Sequence, residues 1–295
     1  MNLSEFGLLV KSLRESSMDP YGNRWTRESL SRAIHLSPNQ LGRLERGDRK
    51  YLDNHILQLL ADCFNLTALE RKEFLSAAVG LADEELFNKE EPVLQLQKLM
   101  NTIENLQIPA FIIDVYTDII ASNHAMMNLF LITPEVFDYR KTLPAGDNLL
   151  NIIYSSEFGC REIFGPGWRD VANIEILLFR RSTLRYRNTA YFQYLFKELL
   201  KEKQFDIDWY SSHRDLKHYD LTYELFDYCH PRYGQLKYIA TETIINTRKG
   251  DLYSILYNPI DHATKEIFTG LISPEGNKVI PVGDWPEKKM HRRVR

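Results

Sequence analysis

Apolar positions in the first eighty residues repeat with a helical period. Phe6, Leu9, Val10 and Leu13 fall at i, i+3, i+4 and i+7, the stripe of a helix that buries one face. Asp19-Pro20-Tyr21-Gly22-Asn23 then breaks the chain. Thr26 is a favoured N-cap for a short helix turning Leu30, Ala33 and Ile34 inward. Ser37 caps the next helix, with Pro38 at its first position and Leu36 and Leu41 at the staple positions. Asp53 can cap a fourth helix whose buried side holds Ile56, Leu57, Leu60 and Phe64. Thr67 and Glu70 have capping-box spacing and start a fifth helix through Phe74, Leu75 and Ala78.

Beyond Pro109 the period changes. PAFIIDV and TDIIAS are β-branched and near period two, a hairpin turning at 116–118. Asn123 to Phe130 reads as a helix, and residues 148–205 are mostly helical. Three strand-like runs follow at 222–228, 236–247 and 252–258. This order predicts an α+β domain, one antiparallel sheet with helices on one side. Residues 1–81 form the first expected domain, 82–99 a linker and helix, 100–272 the second domain, and 273–295 a loop-like, basic C-terminal tail.

The chain has 295 residues, enough for two domains, and a net charge of −3. Its charge is unevenly spread: residues 24–50 hold seven Lys or Arg and three Asp or Glu. DEELFNKEE at 83–91 holds five acids and one lysine, a solvated linker start. No apolar run is long enough to span a membrane, and the first twenty residues do not read as a signal peptide. Cys63, Cys160 and Cys229 are sparse and odd in number, which fits a reducing cytosol and argues against a disulfide framework or a zinc site.

The helix that Ser37 starts has only Leu41 and Leu44 as an apolar seam. Asn39, Gln40 and Arg43 are left on its other side. Two short helices joined by the tight turn Ile34–Ser37 form a helix-turn-helix. Asn and Gln match adenine edges and Arg matches guanine. Arg27, Arg46, Arg49 and Lys50 flank the pair as phosphate contacts, with Ser37 at the helix start. Gly42, in mid-helix, suggests close approach of backbone or DNA there.

TRESLSRAIHLSPNQLGRLERG, within Thr26–Leu66, resembles the lambda-repressor-type helix-turn-helix of the XRE family, down to Glu45-Arg46-Gly47. The resemblance implies five helices, with Ser37–Leu44 in the major groove. Where that family often has Gln after the capping Thr, this chain has Arg27, which favours a phosphate contact over a polar network with the recognition helix. Dimerisation is expected, because two half-sites multiply the few base contacts of one short helix.

Residues 109–130, PAFIIDVYTDIIASNHAMMNLF, resemble the start of the ligand domain of MmyB-like transcription regulators, with Asp114, Asn123 and Phe130 matching. Ser122 stands where that family usually has Trp. NLLNIIY, REIFGPGWRDVA and HPRYGQLKY follow in the family's order, and Phe205 and Trp209 resemble its Phe…Trp pair. The resemblance spans roughly 100–272 and implies a PAS-like α+β fold with an apolar cavity. An elongated ligand with one polar end, such as a fatty acid, fits that description. Phe111, Ile113, Met126, Trp168, Trp209 and Ile255 are the candidate walls. His213, Arg214, Tyr238 or Arg169 could hold the polar end.

No phosphate loop of the G-x-x-x-x-G-K type and no G-x-S-x-G occurs, so no enzyme is expected, and no resident cofactor or metal. The expectation is a cytoplasmic, ligand-responsive DNA-binding regulator. The rival is a regulator whose second domain is a protein-interaction module without a ligand cavity.

Overall fold

The structure, a computed structural model, describes residues 3–48, 53–79, 90–211 and 224–290. They fall into two compact units. The first takes in the described residues of 1–86, 180–193 and 210–217, and the second those of 87–179, 194–209 and 218–295.

In the first unit the five expected helices are present: α1 Leu3–Ser16, α2 Arg27–Ala33, α3 Pro38–Glu45, α4 Asn54–Cys63 and α5 Ala68–Val79. Local chemistry starts them where the sequence says. Thr26 and Ser37 each close a capping box, and the Asp53 side chain accepts from the His55 amide. His35, at φ 57°, makes the left-handed step between α2 and α3, and Gly47, at φ 76°, ends α3. Phe6, Leu9, Val10 and Leu13 pack with Leu30, Ile34, Leu41, Leu44 and Phe74 in one core. Leu184, in a short 3-10 turn at Leu184–Tyr186, joins that same core.

Glu70 closes its expected box with Thr67, yet it does more. It is fully buried between Arg180 and Arg187, at 3.0 and 2.5 Å. The segment 180–193, distant in sequence, is therefore part of the first unit.

The second unit opens with α6 Pro92–Glu104 and the expected hairpin, β1 Ala110–Asp114 and β2 Ile119–Asn123. Helices α7 His124–Leu129, α8 Pro134–Thr142, α9 Leu149–Tyr154, α10 Cys160–Phe164, α11 Trp168–Thr183, α12 Ala190–Leu199 and α13 Lys203–Ser211 follow. The boundary between the units falls within α11, between Phe179 and Arg180. Strands β3 Glu224–His230, β4 Gly234–Ile245 and β5 Leu252–Pro259 come next, then α14 His262–Gly270 and β6 Val279–Pro281. All strands pair antiparallel, in the order β3-β4-β5-β1-β2-β6. The N-terminal helices and the C-terminal α+β sheet domain are as expected.

Two expectations are corrected. Helices cover both faces of the sheet, not one. Every residue of β1 is buried, so neither face can be left to water. Ala110, Ile112, Ala121 and Leu252 meet Ile103, Leu99 and Met100 of α6 on one face. The opposite face receives α7, α10 and α14. The C-terminal residues are also more than a loop-like basic tail. β6 extends the sheet beside β2, Trp285 packs against the α6 core, and Lys288 is buried rather than solvated. The Lys288 ammonium sits 2.5 Å from Asp114 and 2.8 Å from Asp118. Asp114 also accepts from the amides of Tyr116 and Asp118, which helps set the hairpin turn.

Candidate functional site

In the first unit, α3 presents Asn39, Gln40 and Arg43 as exposed side chains above buried Leu41 and Leu44. Ser37 is the exposed cap, and its hydroxyl accepts from the Gln40 amide at 3.2 Å. The Gln40 side-chain oxygen accepts in turn from the Ser37 amide at 2.8 Å, so its amide NH2 is what remains to face outward. Arg46 is exposed and pairs with Asp48. Arg49 and Lys50 lie outside the described residues.

The polar network with α3 that Arg27 was expected to forgo is present: its Nε and Nη2 fork onto Glu45 Oε2 at 3.1 and 2.7 Å. The hydrogen bond and charge of Glu45 raise the Arg27 pKa. Glu45 is buried at the end of α3, and Arg14 of α1 reaches its other oxygen at 2.5 Å. A buried carboxylate needs such partners, so it draws the nearest guanidinium to itself. The Arg27 side chain is still 44% exposed. The close helix packing that sets α3 on α1 runs through Gly7: a Cβ there would lie 2.5 Å from the Leu44 carbonyl.

In the second unit, the sheet register gathers several candidate ligand residues. Phe111 pairs with Ile255, and Ile113 with Tyr253. Tyr238 pairs with Phe226 on β3. Alternation puts Phe111, Ile113, Ile255, Tyr257, Tyr238, Phe226 and Tyr228 on one face. Their rings form a continuous cluster: Tyr238 stacks on Phe226 at 4.7 Å and on Tyr257 at 4.5 Å, and Tyr257 meets Phe111 edge-on at 6.1 Å. Phe130, Phe164 of α10 and Phe268 of α14 lie against it. Met126 is buried on α7.

Trp168 and Trp209 belong to a different ring cluster, carried by helices. Tyr154 meets Trp168 and Phe205 edge-on, while Trp209 packs on Phe179, Phe196 and Phe205. Arg169 is held by Asp208 through two bonds of 2.9 and 2.7 Å, so its guanidinium is already committed. His213 and Arg214 lie outside the described residues.

Sequence reading passed over Phe226, Tyr228 and Tyr257, although their period-two spacing within strand-like runs was a usable signal. His230 ends β3 with its Nδ1 accepting from the amides of Arg232 and Tyr233, which sets the turn into β4. Burial pushes the Cys160 thiol up to about 12 despite the nearby Arg140, so it stays a protonated core residue. Among the described residues, no group of three or more His, Cys, Asp or Glu could hold a metal ion, and no helix is long and apolar enough to cross a membrane.

The second unit is thus an α+β domain with an aromatic sheet face beneath helices. The family model described as the MmyB-like transcription regulator ligand binding domain matches residues 95–271, more than half of the chain, and the chain belongs to that family. No curated protein shows a significant match to it.

Proposed function

We propose that the protein is a cytoplasmic, sequence-specific DNA-binding transcription regulator of the XRE type, acting as a homodimer. Its PAS-like second domain binds a small apolar ligand such as a fatty acid. The observation that carries the DNA reading is α3 itself: a doubly capped helix with two buried leucines and a row of exposed Asn39, Gln40 and Arg43. A helix meant only for the core would bury a wider face. Asn and Gln amides and the Arg fork carry the donor and acceptor pattern that reads base edges. Family membership supports the regulator and ligand reading, and the aromatic sheet face supports an apolar ligand. Ligand binding acts on DNA binding only through its differential affinity for two arrangements of the protein.

The test begins with selection of an operator from random duplexes, followed by fluorescence anisotropy. Arg43→Ala lowers operator affinity by about 1–3 kcal/mol and relaxes sequence preference. Arg27→Ala weakens all sequences alike and reduces the salt slope by about one phosphate. Operator binding untouched by Arg43→Ala would show that another face is used. Native mass spectrometry of the purified chain reports the ligand.

A further inference from the structure

α11 is one uninterrupted helix that serves both units. From Trp168 to Thr183 it holds no Gly or Pro, so nothing in its sequence provides a kink. At its start the Trp168 indole donates to the Ile153 carbonyl at 2.8 Å and meets Tyr154 edge-on at 5.8 Å. Phe179 lies against Phe205 and Trp209 at 6.4 and 6.0 Å, in the helix-borne ring cluster of the second unit. The next residue, Arg180, belongs to the first unit and donates to Glu70 Oε2 at 3.0 Å. Leu184 then joins the core that holds Leu30, Leu41 and Leu44. Arg187 Nη2 donates to Glu70 Oε1 at 2.5 Å and to the Arg180 carbonyl at 2.9 Å, and Arg185 pairs with Glu73 of the same α5. The chain returns to the ring cluster in α12, where Phe196 packs on Trp209 at 4.7 Å.

Residues 180–193 therefore lie within the stretch that matches the ligand-binding domain, yet they are a structural part of the helical first unit. A plain tether would need only exposed, adaptable contacts. Here a carboxylate and its guanidiniums are buried together. Such a group has no half-engaged state of low energy, because withdrawing one partner leaves a buried charge without its counter-ion. Beyond Glu70, α5 sets Phe74 on Phe6 of α1 at 5.1 Å, and Gly7, next to Phe6, is where α1 takes α3 in close contact. From Phe179 to α3 each step is a packed, ion-paired or covalent one. α13 also passes from the second unit to the first, at Tyr210, but that side chain is half exposed, so the buried anchor is the one on α11.

We propose that residues 180–193 are a clasp through which the packing of the second unit's ring cluster controls α3, with Glu70 as the point of engagement. The proposal rests on the regulator reading above and gives its regulation a route. A ligand that repacks Trp168 or Trp209 displaces Phe179, and Arg180 with it, because one rigid helix carries both. Engaged, the clasp holds α5 against α1 and so fixes α3. Released, α5 loses its counter-charges and the seat of α3 loosens.

Hydrogen–deuterium exchange of the full chain tests the clasp without ligand or DNA. Phe205→Leu disturbs the ring cluster from α13, outside the first unit. Exchange in α5 and α3 rises by about fivefold or more, the low end of ordinary allosteric coupling. In a Glu70→Gln background, where the clasp is already open, Phe205→Leu adds nothing there and still speeds exchange inside the second unit. Faster exchange confined to the second unit in Phe205→Leu alone overturns the proposal. So does an equal increment in α5 and α3 with and without Glu70→Gln. Should Glu70→Gln fail to fold, Arg187→Lys, which keeps the charge and loses the guanidinium, gives the same comparison; Phe196→Leu stands in for Phe205→Leu in the same way. A second arm follows affinity for the selected operator with and without dodecanoic acid. The acid shifts the affinity of the unaltered chain and not that of Glu70→Gln; an equal shift in both overturns the clasp as the route. An unaltered chain that binds no acid, or no duplex, overturns the ligand or the DNA reading instead, and the exchange result still decides the clasp.

Discussion

Each unit buries an ion cluster, and the two are inverted. The first unit holds one carboxylate, Glu70, between two guanidiniums. The second holds one ammonium, Lys288, between two carboxylates, Asp114 and Asp118. The consequence is opposite for the acid. Burial alone would raise the pKa of Glu70, but Arg180 and Arg187 together hold it down to about 2. For Asp114, burial and the like charge of Asp118 outweigh Lys288 and push it up to about 6. Burial is common to both, so the sign of the surplus charge decides which carboxylate keeps its proton.

Removing the minority charge is the strongest way to break this comparison. Glu70→Gln leaves two buried guanidiniums without a carboxylate. The expected loss is about 3–5 kcal/mol in the first unit, read as a lowered urea midpoint. A loss under about 1 kcal/mol would mean that the arginines find other acceptors.

Lys288→Met should cost less, roughly 2–3 kcal/mol, because Asp114 already tends to take up a proton and so neutralises at little cost. The deficit should shrink between pH 7 and pH 5, which calorimetry of the variant against the parent chain tests. The two clusters also sharpen the comparison through acid. The folded pKa of Glu70 lies below its ordinary 4.5, so its contribution is present above that pH and is lost as pH falls towards 2. The folded pKa of Asp114 lies above its ordinary 3.8, so its contribution is full below that pH and is lost as pH rises through 6. Mild acid therefore favours the second unit while leaving the first unchanged. A parallel response of both calorimetric transitions between pH 7 and 5 would contradict the inversion.

These clusters also mark what the sequence could and could not disclose. Helix starts were legible because caps are local: Thr26, Ser37, Asp53 and Thr67 each act within three residues. The hairpin was legible from its two short β-branched runs and the turn between them at 116–118. The partners of Glu70 and Lys288 lie more than a hundred residues away in the chain, and nothing local marks them. The second helix-covered sheet face was missed for a related reason. A strand buried on both faces shows no alternation, and β1 was read as half of a plain hairpin. In the candidate sites, exposure along α3 followed from its sparse apolar seam. The aromatic face depends on the register between β1, β3, β4 and β5, which only pairing reveals. The Arg27–Glu45 pair was not legible because Glu45 looked like a terminal motif residue, when it is a buried acceptor.

The smaller effects concern two glycines of the first unit, both tied to α3. At Gly7 a Cβ would lie 2.5 Å from the Leu44 carbonyl and 2.7 Å from that of Glu45, both backbone atoms that cannot step aside. Gly7→Ala should push α3 off α1 and cost about 1–3 kcal/mol. On the DNA-binding reading proposed above, it should also weaken operator binding by tilting α3. Gly42 is different, although it too is buried. The nearest atoms to a Cβ there are Arg46 Nη1 at 3.5 Å and Arg27 Nε and Cδ at 3.7 and 3.8 Å, ordinary contacts with side chains. Gly42→Ala should therefore stabilise the first unit by roughly 0.4–1 kcal/mol through helix propensity alone. The sequence suggested that Gly42 allows close approach of DNA. Anisotropy separates the two accounts: a more stable variant with unchanged operator affinity assigns Gly42 to the space beside the two guanidiniums, whereas tenfold weaker binding at higher stability means that DNA backbone comes within a methyl group of α3.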